Sequence, residues 1–182
     1  MAENILKDSR NITKIAMCVA LCCISAYISF PLPFTPGMVT ALTLAMSLTA
    51  YILPPKQTFI VILLYLLLGA AGFPVFAVGS SGIGKLISPV GGFYIVWLLA
   101  FPLLSLLKGE NINFKRYALV NILVTIPVTY IGGLISMMLM MELTLPQAVM
   151  MAVLPFILGD IIKALAAAFL AVKLNRVLSR KV

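Results

Sequence analysis

The stretch YALVNILVTIPVTYIGGLISMMLMM, residues 117–141, decides the fold because it carries no charged residue. An uncharged apolar run of roughly 18 or more residues can cross a hydrocarbon core about 30 Å thick. Residues 86–107 form a second such run. The chain has 182 residues, of which 63% are hydrophobic and 10% charged, with a mean hydropathy of +1.16. A soluble domain is about half apolar and about a quarter charged. The sequence therefore predicts an integral membrane protein.

Prolines and charges divide the chain into six predicted spans. Pro31, Pro33 and Pro36 end the first apolar run, because proline removes a backbone donor and clashes with the preceding helical turn. Pro155 is placed at the first turn of the last span, where its missing N–H costs nothing. The predicted spans are residues 15–30, 38–53, 57–71, 91–107, 117–141 and 155–174, with a short helix at 146–154. We expect an all-α membrane protein with six transmembrane helices, a single transmembrane domain over residues 1–182, with a long glycine-rich outer loop between helices 3 and 4.

The basic residues predict the orientation of these spans. Lysines and arginines concentrate in cytoplasmic connections. Those at the two termini and in the second and fourth connections are Lys7, Arg10, Lys14, Lys56, Lys108, Lys115, Arg116, Lys173, Arg176, Arg180 and Lys181. The other three connections contain only Lys85. We therefore expect a multi-pass protein of the cell membrane with both termini in the cytoplasm. The net charge of +8 is explained by this topology and does not indicate a nucleic-acid partner.

The loop GSSGIGKL, residues 79–86, satisfies the spacing G-x-x-x-x-G-K of a phosphate-binding loop. Such a loop follows a buried strand and places Ser or Thr after the lysine to hold Mg²⁺. Here Leu86 takes that position, and a predicted membrane helix precedes the loop on the outer face. The context excludes a nucleotide site.

The glycines of this loop leave two interpretations open. Gly79, Gly82 and Gly84 permit tight or left-handed backbone conformations. One interpretation is a flexible outer loop; the other is a loop that folds over an extracellular ligand. The apolar segment FPVFA, residues 73–77, favours the second interpretation, because apolar and aromatic residues in an outer loop would otherwise be exposed to water.

Catalytic and metal-binding side chains are scarce. The chain has no His, which removes the commonest general base and metal ligand. Cys18, Cys22 and Cys23 lie in the first apolar run without further ligands nearby, so we expect them to pack and not to bind zinc. An intramembrane enzyme is excluded for want of catalytic groups.

Asp160 and Lys163 are the only charged residues between Glu142 and Lys173. Each would cost about 2.5–3.5 kcal/mol at the bilayer centre, so such groups face a partner or a cavity. Their spacing of three places them on one helical face. Two interpretations stay open: a self-neutralising pair that fixes helix packing, or the polar wall of a ligand cavity. A helix starting at Pro155 would put Asp160 about 7–8 Å below its outer end.

Ala16 and Ala20 form a small-x-x-x-small pair on the first helix. Small residues four apart allow another helix to approach closely in lipid. The pair serves either packing within the bundle or docking of another protein.

The chain also carries the segments PLPFTP (31–36), LYLLLGAAGFPVFAVGSSGIGKLISPVGGFY (64–94) and PFILGDIIKA (155–164). In this order they resemble the BioY family, the biotin-specific S-components of energy-coupling factor (ECF) transporters. The resemblance implies capture of biotin from outside, with no cofactor or metal. It also implies a transmembrane coupling protein and two ATPase subunits as partners, which would hydrolyse ATP in place of this chain. The alanine pair would dock onto the coupling protein.

The resemblance further implies a set of ligand-binding residues. They are Asp160, Lys163, Tyr94, Gly79, Ser80, Ser81, Gly91, Gly92, Phe34, Phe73 and Phe76. Asp160 would accept from the ureido N–H groups of biotin, and Lys163 would meet either the ureido carbonyl or the carboxylate. Phe34, Phe73, Phe76 and Tyr94 would form apolar walls.

Two positions depart from the family pattern. Leu42 stands where a glutamine is expected, and Val90 where a threonine is expected. If either position touches the ligand, affinity or geometry will differ from that of relatives. The competing function is a self-sufficient proton-coupled carrier with Asp160 as the relay group.

Overall fold

The computed structural model describes residues 9–179, so the predicted cytoplasmic residues Lys7, Arg180 and Lys181 lie outside the described chain. Helices dominate this part of the chain. They are α1 (Ser9–Ser25), α2 (Leu42–Ile52), α3 (Pro55–Ala70), α4 (Ile83–Leu86), α5 (Gly91–Leu107), α6 (Phe114–Val120), α7 (Ile126–Met141), α8 (Leu145–Ala152) and α9 (Ile157–Ser179). Strands β1 (Ser29–Pro31) and β2 (Met38–Thr40) form an antiparallel pair.

The long apolar run is one continuous helix. A π-helical segment, Asn121–Thr125, joins α6 to α7, giving a helix Phe114–Met141 of 28 residues that is long and apolar enough to cross a membrane. The widened turn precedes Pro127, which has no N–H to bond the carbonyl four residues earlier. Helices α8 and α9 meet the same criterion together, with a bend of 48° between them. The apolar helices α2, α3 and α5 are shorter.

The N-terminal helix differs from the sequence prediction. It runs from Ser9 to Ser25 instead of residues 15–30. Its predicted last residues belong instead to β1, where Ser29 pairs with Thr40 and Phe30 with Val39. The proline-rich segment was expected only to break helices, but it forms the tip of a hairpin. This β-hairpin connects α1 to α2.

Helix α5 lies at the centre of the bundle, packed against α7 and α3, while α2 packs against α9. Glycines permit the close approach of α5 and α7. A Cβ at Gly92 would lie 2.0 Å from the Gly132 carbonyl oxygen, and one at Gly133 would lie 2.0 Å from the Phe93 ring. Larger residues at these positions would separate the two helices.

Lys108, directly after α5, connects the C-terminal end of that helix to the C-terminal end of α2. Its ammonium lies 2.8, 2.9 and 2.8 Å from the carbonyl oxygens of Ala50, Tyr51 and Leu53 at the end of α2. These carbonyls are among those that a helix C-terminus leaves without intrahelical partners. A cation there also favourably opposes the negative end of the helix dipole.

The outer surfaces of the helices are apolar. Leu99 on α5, Leu139 on α7 and Leu158 on α9 are 67%, 75% and 70% exposed. So many exposed large apolar side chains are unusual on a soluble monomer and typical of a surface that contacts lipid or another protein.

Candidate functional site

One cavity lies between the β-hairpin, the α3–α5 connection and helices α5, α7 and α9. Its empty volume, counted out to its open mouth, is about 670 Å³. The wall is mostly apolar. It is formed by Pro36, Gly37, Met38, Thr40, Leu42, Thr43, Ala77, Lys85, Val90, Phe93, Tyr94, Trp97, Thr129, Tyr130, Phe156, Asp160 and Lys163. An apolar wall with a few polar groups is typical of small-molecule sites.

The predicted charged pair lies in this wall. Lys163 Nζ is 2.5 Å from Asp160 Oδ1, and the two side chains are only 17% and 16% exposed. Asp160 lies in the first turn of α9, where the helix dipole favours a negative charge. The helix α9 begins at Ile157 and not at Pro155. Asp160 therefore lies about 4.5 Å from the start of the helix, less than the 7–8 Å expected.

Two further hydrogen bonds fix this pair. Tyr130 on α7 donates from its hydroxyl to Asp160 Oδ2 across 2.7 Å. Lys163 donates to the Thr40 carbonyl oxygen of β2 at 3.2 Å. The pair therefore joins α7, α9 and the β-hairpin around the cavity, and each charged group has a fixed direction.

Hydrogen-bonding capacity remains at this pair. A carboxylate offers about four acceptor positions and an ammonium three donors. Lys163 and Tyr130 occupy one position each on Asp160, while Asp160 and Thr40 take two donors of Lys163. Within the described residues, about two acceptor positions and one donor are left for a ligand.

A smaller cavity of about 320 Å³ adjoins the first at the ion pair. Asp160, Lys163, Tyr130, Thr43 and Thr129 line both. Its remaining wall contains polar side chains, including Asn121, which donates to Ser47 Oγ at 3.0 Å. The ion pair thus lies in the wall that the two mainly apolar cavities share.

Aromatic rings support the main cavity along α5. Ring centroids are 4.9 Å apart for Phe76 and Tyr94, 4.7 Å for Tyr94 and Trp97, and 6.4 Å for Trp97 and Phe101. The Trp97 indole N–H is buried and has no hydrogen-bond partner in the described chain. The rings of Tyr94, Trp97 and Phe101 follow one another at helical spacing on α5 and pack into a stiff wall.

The β-hairpin closes one side of the cavity. A Cβ at Gly37 would lie 2.7 Å from the Phe156 ring, so glycine allows the hairpin to pack on the α8–α9 bend. The Thr35 hydroxyl donates to the Met151 carbonyl oxygen at 2.8 Å. The wall residues of the hairpin are thereby attached to α8 and α9.

The α3–α5 connection is held to its neighbours by hydrogen bonds. Tyr27 donates to the Pro74 carbonyl oxygen at 2.6 Å, and Tyr65 donates to that of Val75 at 3.0 Å. The backbone N–H of Val78 donates to the Ala26 carbonyl oxygen at 3.3 Å. Val78 itself has a left-handed conformation, with a φ of +57°. Only Ala77, Lys85 and Val90 of this connection line the cavity.

The predicted site residues fall into two groups. Asp160, Lys163 and Tyr94 line the cavity. The others, which are absent from its wall, are Gly79, Ser80, Ser81, Gly91, Gly92, Phe34, Phe73 and Phe76. Phe34 and Phe73 are 60% and 56% exposed, whereas Phe76 is fully buried behind Tyr94. Direct ligand contact by this second group stays a prediction.

The glycines and serines of the second group shape the backbone that carries the wall. Gly79 has a φ of +70° and packs against the Tyr27 ring. Ser80 donates from its hydroxyl to the Ala77 carbonyl oxygen at 2.8 Å, and Ser81 is exposed. A Cβ at Gly91 would lie 1.9 Å from the Leu86 carbonyl oxygen.

Both departures from the family pattern face the cavity. Leu42 and Val90 are both wall residues, so a glutamine and a threonine at these positions would also line the cavity. Their apolar side chains offer no hydrogen-bonding group at these two positions.

Sequence reasoning missed Tyr130, Thr129 and Trp97. Tyr94, Trp97 and Phe101 repeat at helical spacing on α5, which was an available signal. Thr129 and Tyr130 are two of several uncharged polar residues in the run 117–141, and nothing in the sequence indicates that Tyr130 faces Asp160.

The thiols and the alanine pair lie away from the cavity. Cys18 and Cys22 are buried in the helix bundle. Ala16 and Ala20 are exposed on α1. No cluster able to hold a metal occurs in residues 9–179.

An apolar helical bundle around an open cavity, with an ion pair in the cavity wall, is typical of a membrane protein with a site for a small solute. Comparison with known proteins narrows this class. Residues 1–180 match the BioY family, and the chain belongs to that family.

Relatives extend over most of the chain. A probable biotin transporter BioY of Bacillus subtilis (strain 168) is 37% identical over 150 residues, covering 81% of this chain and 80% of the relative. Biotin transporter BioY2 of Lactococcus lactis subsp. cremoris (strain MG1363) is 34% identical over 171 residues, covering 93% and 92%. The crystal structure of the S-component for biotin from an ECF-type ABC transporter superposes with a TM-score of 0.83 at 24% identity, covering 91% and 90%. That likeness establishes the shared fold.

Proposed function

We infer that this chain captures biotin as the substrate-binding S-component of an ATP-driven ECF transporter. Membership of the BioY family supports biotin as the ligand. The observation that supports the mode of binding is the Asp160–Lys163 pair in the cavity wall. The pair combines acceptors and a donor in apolar surroundings, which suits a ligand that both donates and accepts.

The chemistry of biotin matches the remaining hydrogen-bonding capacity. Its ureido ring has two N–H donors, and Asp160 retains about two acceptor positions. The ureido carbonyl is an acceptor, and Lys163 retains one donor. Bonds of this kind to ionised groups are shorter and stronger than neutral ones. The thioether ring would lie against the aromatic side chains of α5.

Six spans with both termini in the cytoplasm are the topology we propose. The predicted spans correspond to α1, α2, α3, α5, the joined α6–α7 helix, and α9. In this arrangement the cavity lies toward the outer face, because Lys85, the one basic residue of the outer connections, is in its wall. Biotin would enter from outside, past the β-hairpin and the α3–α5 connection.

Transport would require the other ECF subunits, namely the coupling protein and two ATPases. Helix α1 packs on α2 and α3 and leaves Ala16 and Ala20 exposed beside Met17. Two exposed small residues four positions apart allow close approach of another helix and support docking of the coupling protein through this face.

A binding titration in detergent tests the proposal. The purified chain should bind biotin tightly, one molecule per chain, without any ion gradient. The competing proton-coupled carrier predicts weak binding and gradient-driven uptake by the chain alone in liposomes. Uptake of that kind would overturn the S-component function.

A further inference from the structure

We propose that Lys85 is the residue that recognises the anionic tail of the ligand. The inference rests on the proposed function, because it assigns one end of a bound biotin. Lys85 is the lysine of the sequence that resembles a phosphate-binding loop, and the structure places it in the wall of the cavity.

The charges of the cavity wall favour an anionic ligand. Three charged side chains line it: Asp160, Lys163 and Lys85. Asp160 and Lys163 neutralise each other at 2.5 Å, whereas Lys85 forms no ion pair within residues 9–179. One carboxylate and two ammonium groups leave a net charge of +1, which a carboxylate-bearing ligand neutralises. A neutral ligand would leave the Lys85 charge in the wall without a counter-charge.

Hydrogen bonds fix the backbone around Lys85 beside the cavity. Its N–H donates to the Gly82 carbonyl oxygen at 3.1 Å, and its own carbonyl oxygen accepts from the Ser88 hydroxyl at 2.6 Å. The absence of a side chain at Gly91 lets the Leu86 carbonyl lie against the start of α5. These contacts hold α4 beside the cavity mouth.

The two cations are therefore assigned to different parts of the ligand. Lys163 is fixed by Asp160 and by the Thr40 carbonyl, so its last donor serves the ureido ring. Lys85 comes from a different element, the α3–α5 connection, and is half-buried. A flexible side chain there can reach a carboxylate at the mouth while the ring lies deeper, at the ion pair.

The test compares biotin with biotinamide, which has the same ring system and an uncharged tail. Affinities for both are measured in detergent for the unmodified chain, Lys85→Gln and Lys85→Arg. Lys56→Gln is the matched control, since Lys56 is an exposed lysine outside the cavity wall. We expect the unmodified chain to prefer biotin by about tenfold or more, a difference of about 1.4 kcal/mol.

In Lys85→Gln this preference should disappear through weaker biotin binding, with biotinamide affinity unchanged. Lys85→Arg and Lys56→Gln should keep the preference. A preference that persists in Lys85→Gln, equal affinities in the unmodified chain, or equal loss of both ligands in Lys85→Gln would overturn the assignment. Failure of the unmodified chain to bind either ligand would instead overturn the proposed function.

Discussion

Tyr130 on α7 donates its hydroxyl hydrogen bond to Asp160 Oδ2 on α9 at 2.7 Å, across the wall of the cavity. This contact gives the Asp160 carboxylate a second partner besides Lys163. It also couples the longest apolar helix of the chain to the helix that carries both charges. Tyr130 is therefore a positioning residue for the proposed ureido site.

Tyr130→Phe should weaken biotin binding by about 10–100-fold, because a hydrogen bond to a charged group contributes about 1.5–3 kcal/mol. The ring is retained, so the cavity shape should not change. Tyr51→Phe is the matched control: Tyr51 also donates a buried hydroxyl bond, to the Tyr117 carbonyl oxygen at 2.8 Å, but lies outside the cavity. Equal biotin affinity in Tyr130→Phe and the unmodified chain would contradict the role of the hydroxyl.

Asp160→Asn should abolish or strongly weaken biotin binding. It removes the charged acceptor and leaves the ammonium of Lys163 in the wall without its counter-charge. Breaking a buried pair by removing one member costs about 3–5 kcal/mol. Lys163→Met should have a comparable effect for the converse reason.

Titrations of both variants, with thermal unfolding measured alongside, separate loss of ligand contacts from loss of the fold. The double variant Asp160→Asn with Lys163→Met should recover stability but not binding, since it leaves no uncompensated charge. Unaltered affinity in Asp160→Asn would remove Asp160 from the site.

Leu42→Gln should tighten biotin binding, because it restores the residue type expected in the family at a position that faces the cavity. A side-chain amide there adds a donor and an acceptor to an apolar part of the wall. Leu42→Met keeps the volume and the apolar character and is the control. If Gln and Met give the same affinity, the amide does not reach the ligand.

The sequence predicts the helices where an apolar run has clear limits. Residues 91–107 are predicted and observed as the same helix, since Gly91 packs under the Leu86 carbonyl at one end and the charged Lys108 follows the other. The break between α8 and α9 is also found near Pro155. The β-hairpin is missed because its strands have three residues each and depend on pairing across the proline-rich tip.

The candidate site is predictable only where a residue type is rare in its surroundings. Asp160 and Lys163 are conspicuous because charges are scarce in apolar helices. Tyr130 gives no comparable signal, since its importance comes from a contact with a residue 30 positions away. Phe76 has the expected residue type for a cavity wall, but the packing of Tyr94 places it one layer further back.

Replacing Ala16 and Ala20 together with leucine should leave biotin affinity unchanged and prevent co-purification with the coupling protein. Both alanines are exposed and lie outside the cavity wall, so larger side chains act only on a partner that approaches this face of α1. The double glycine variant keeps the face flat and should retain assembly. Lost biotin binding with assembly intact would mean that this face of α1 supports the site and not the partner.

Lys108→Met should destabilise the fold without affecting the cavity. The substitution keeps a long side chain but removes three hydrogen bonds, to the carbonyl oxygens of Ala50 and Tyr51 in α2 and of Leu53 directly after it. Leaving a buried acceptor without a donor costs about 1–3 kcal/mol. This loss falls mainly on Ala50, because the Tyr51 carbonyl oxygen also accepts from the Asn175 amide at 3.1 Å and that of Leu53 from the Ser105 hydroxyl at 2.6 Å. Thermal unfolding in detergent should therefore show a lower midpoint for Lys108→Met than for the control Lys56→Met, whose lysine is exposed. Because the α2 end and the cavity are at opposite ends of the bundle, the biotin affinity of the folded fraction should be unchanged. An unchanged midpoint would mean that Lys108 serves only as a topological charge.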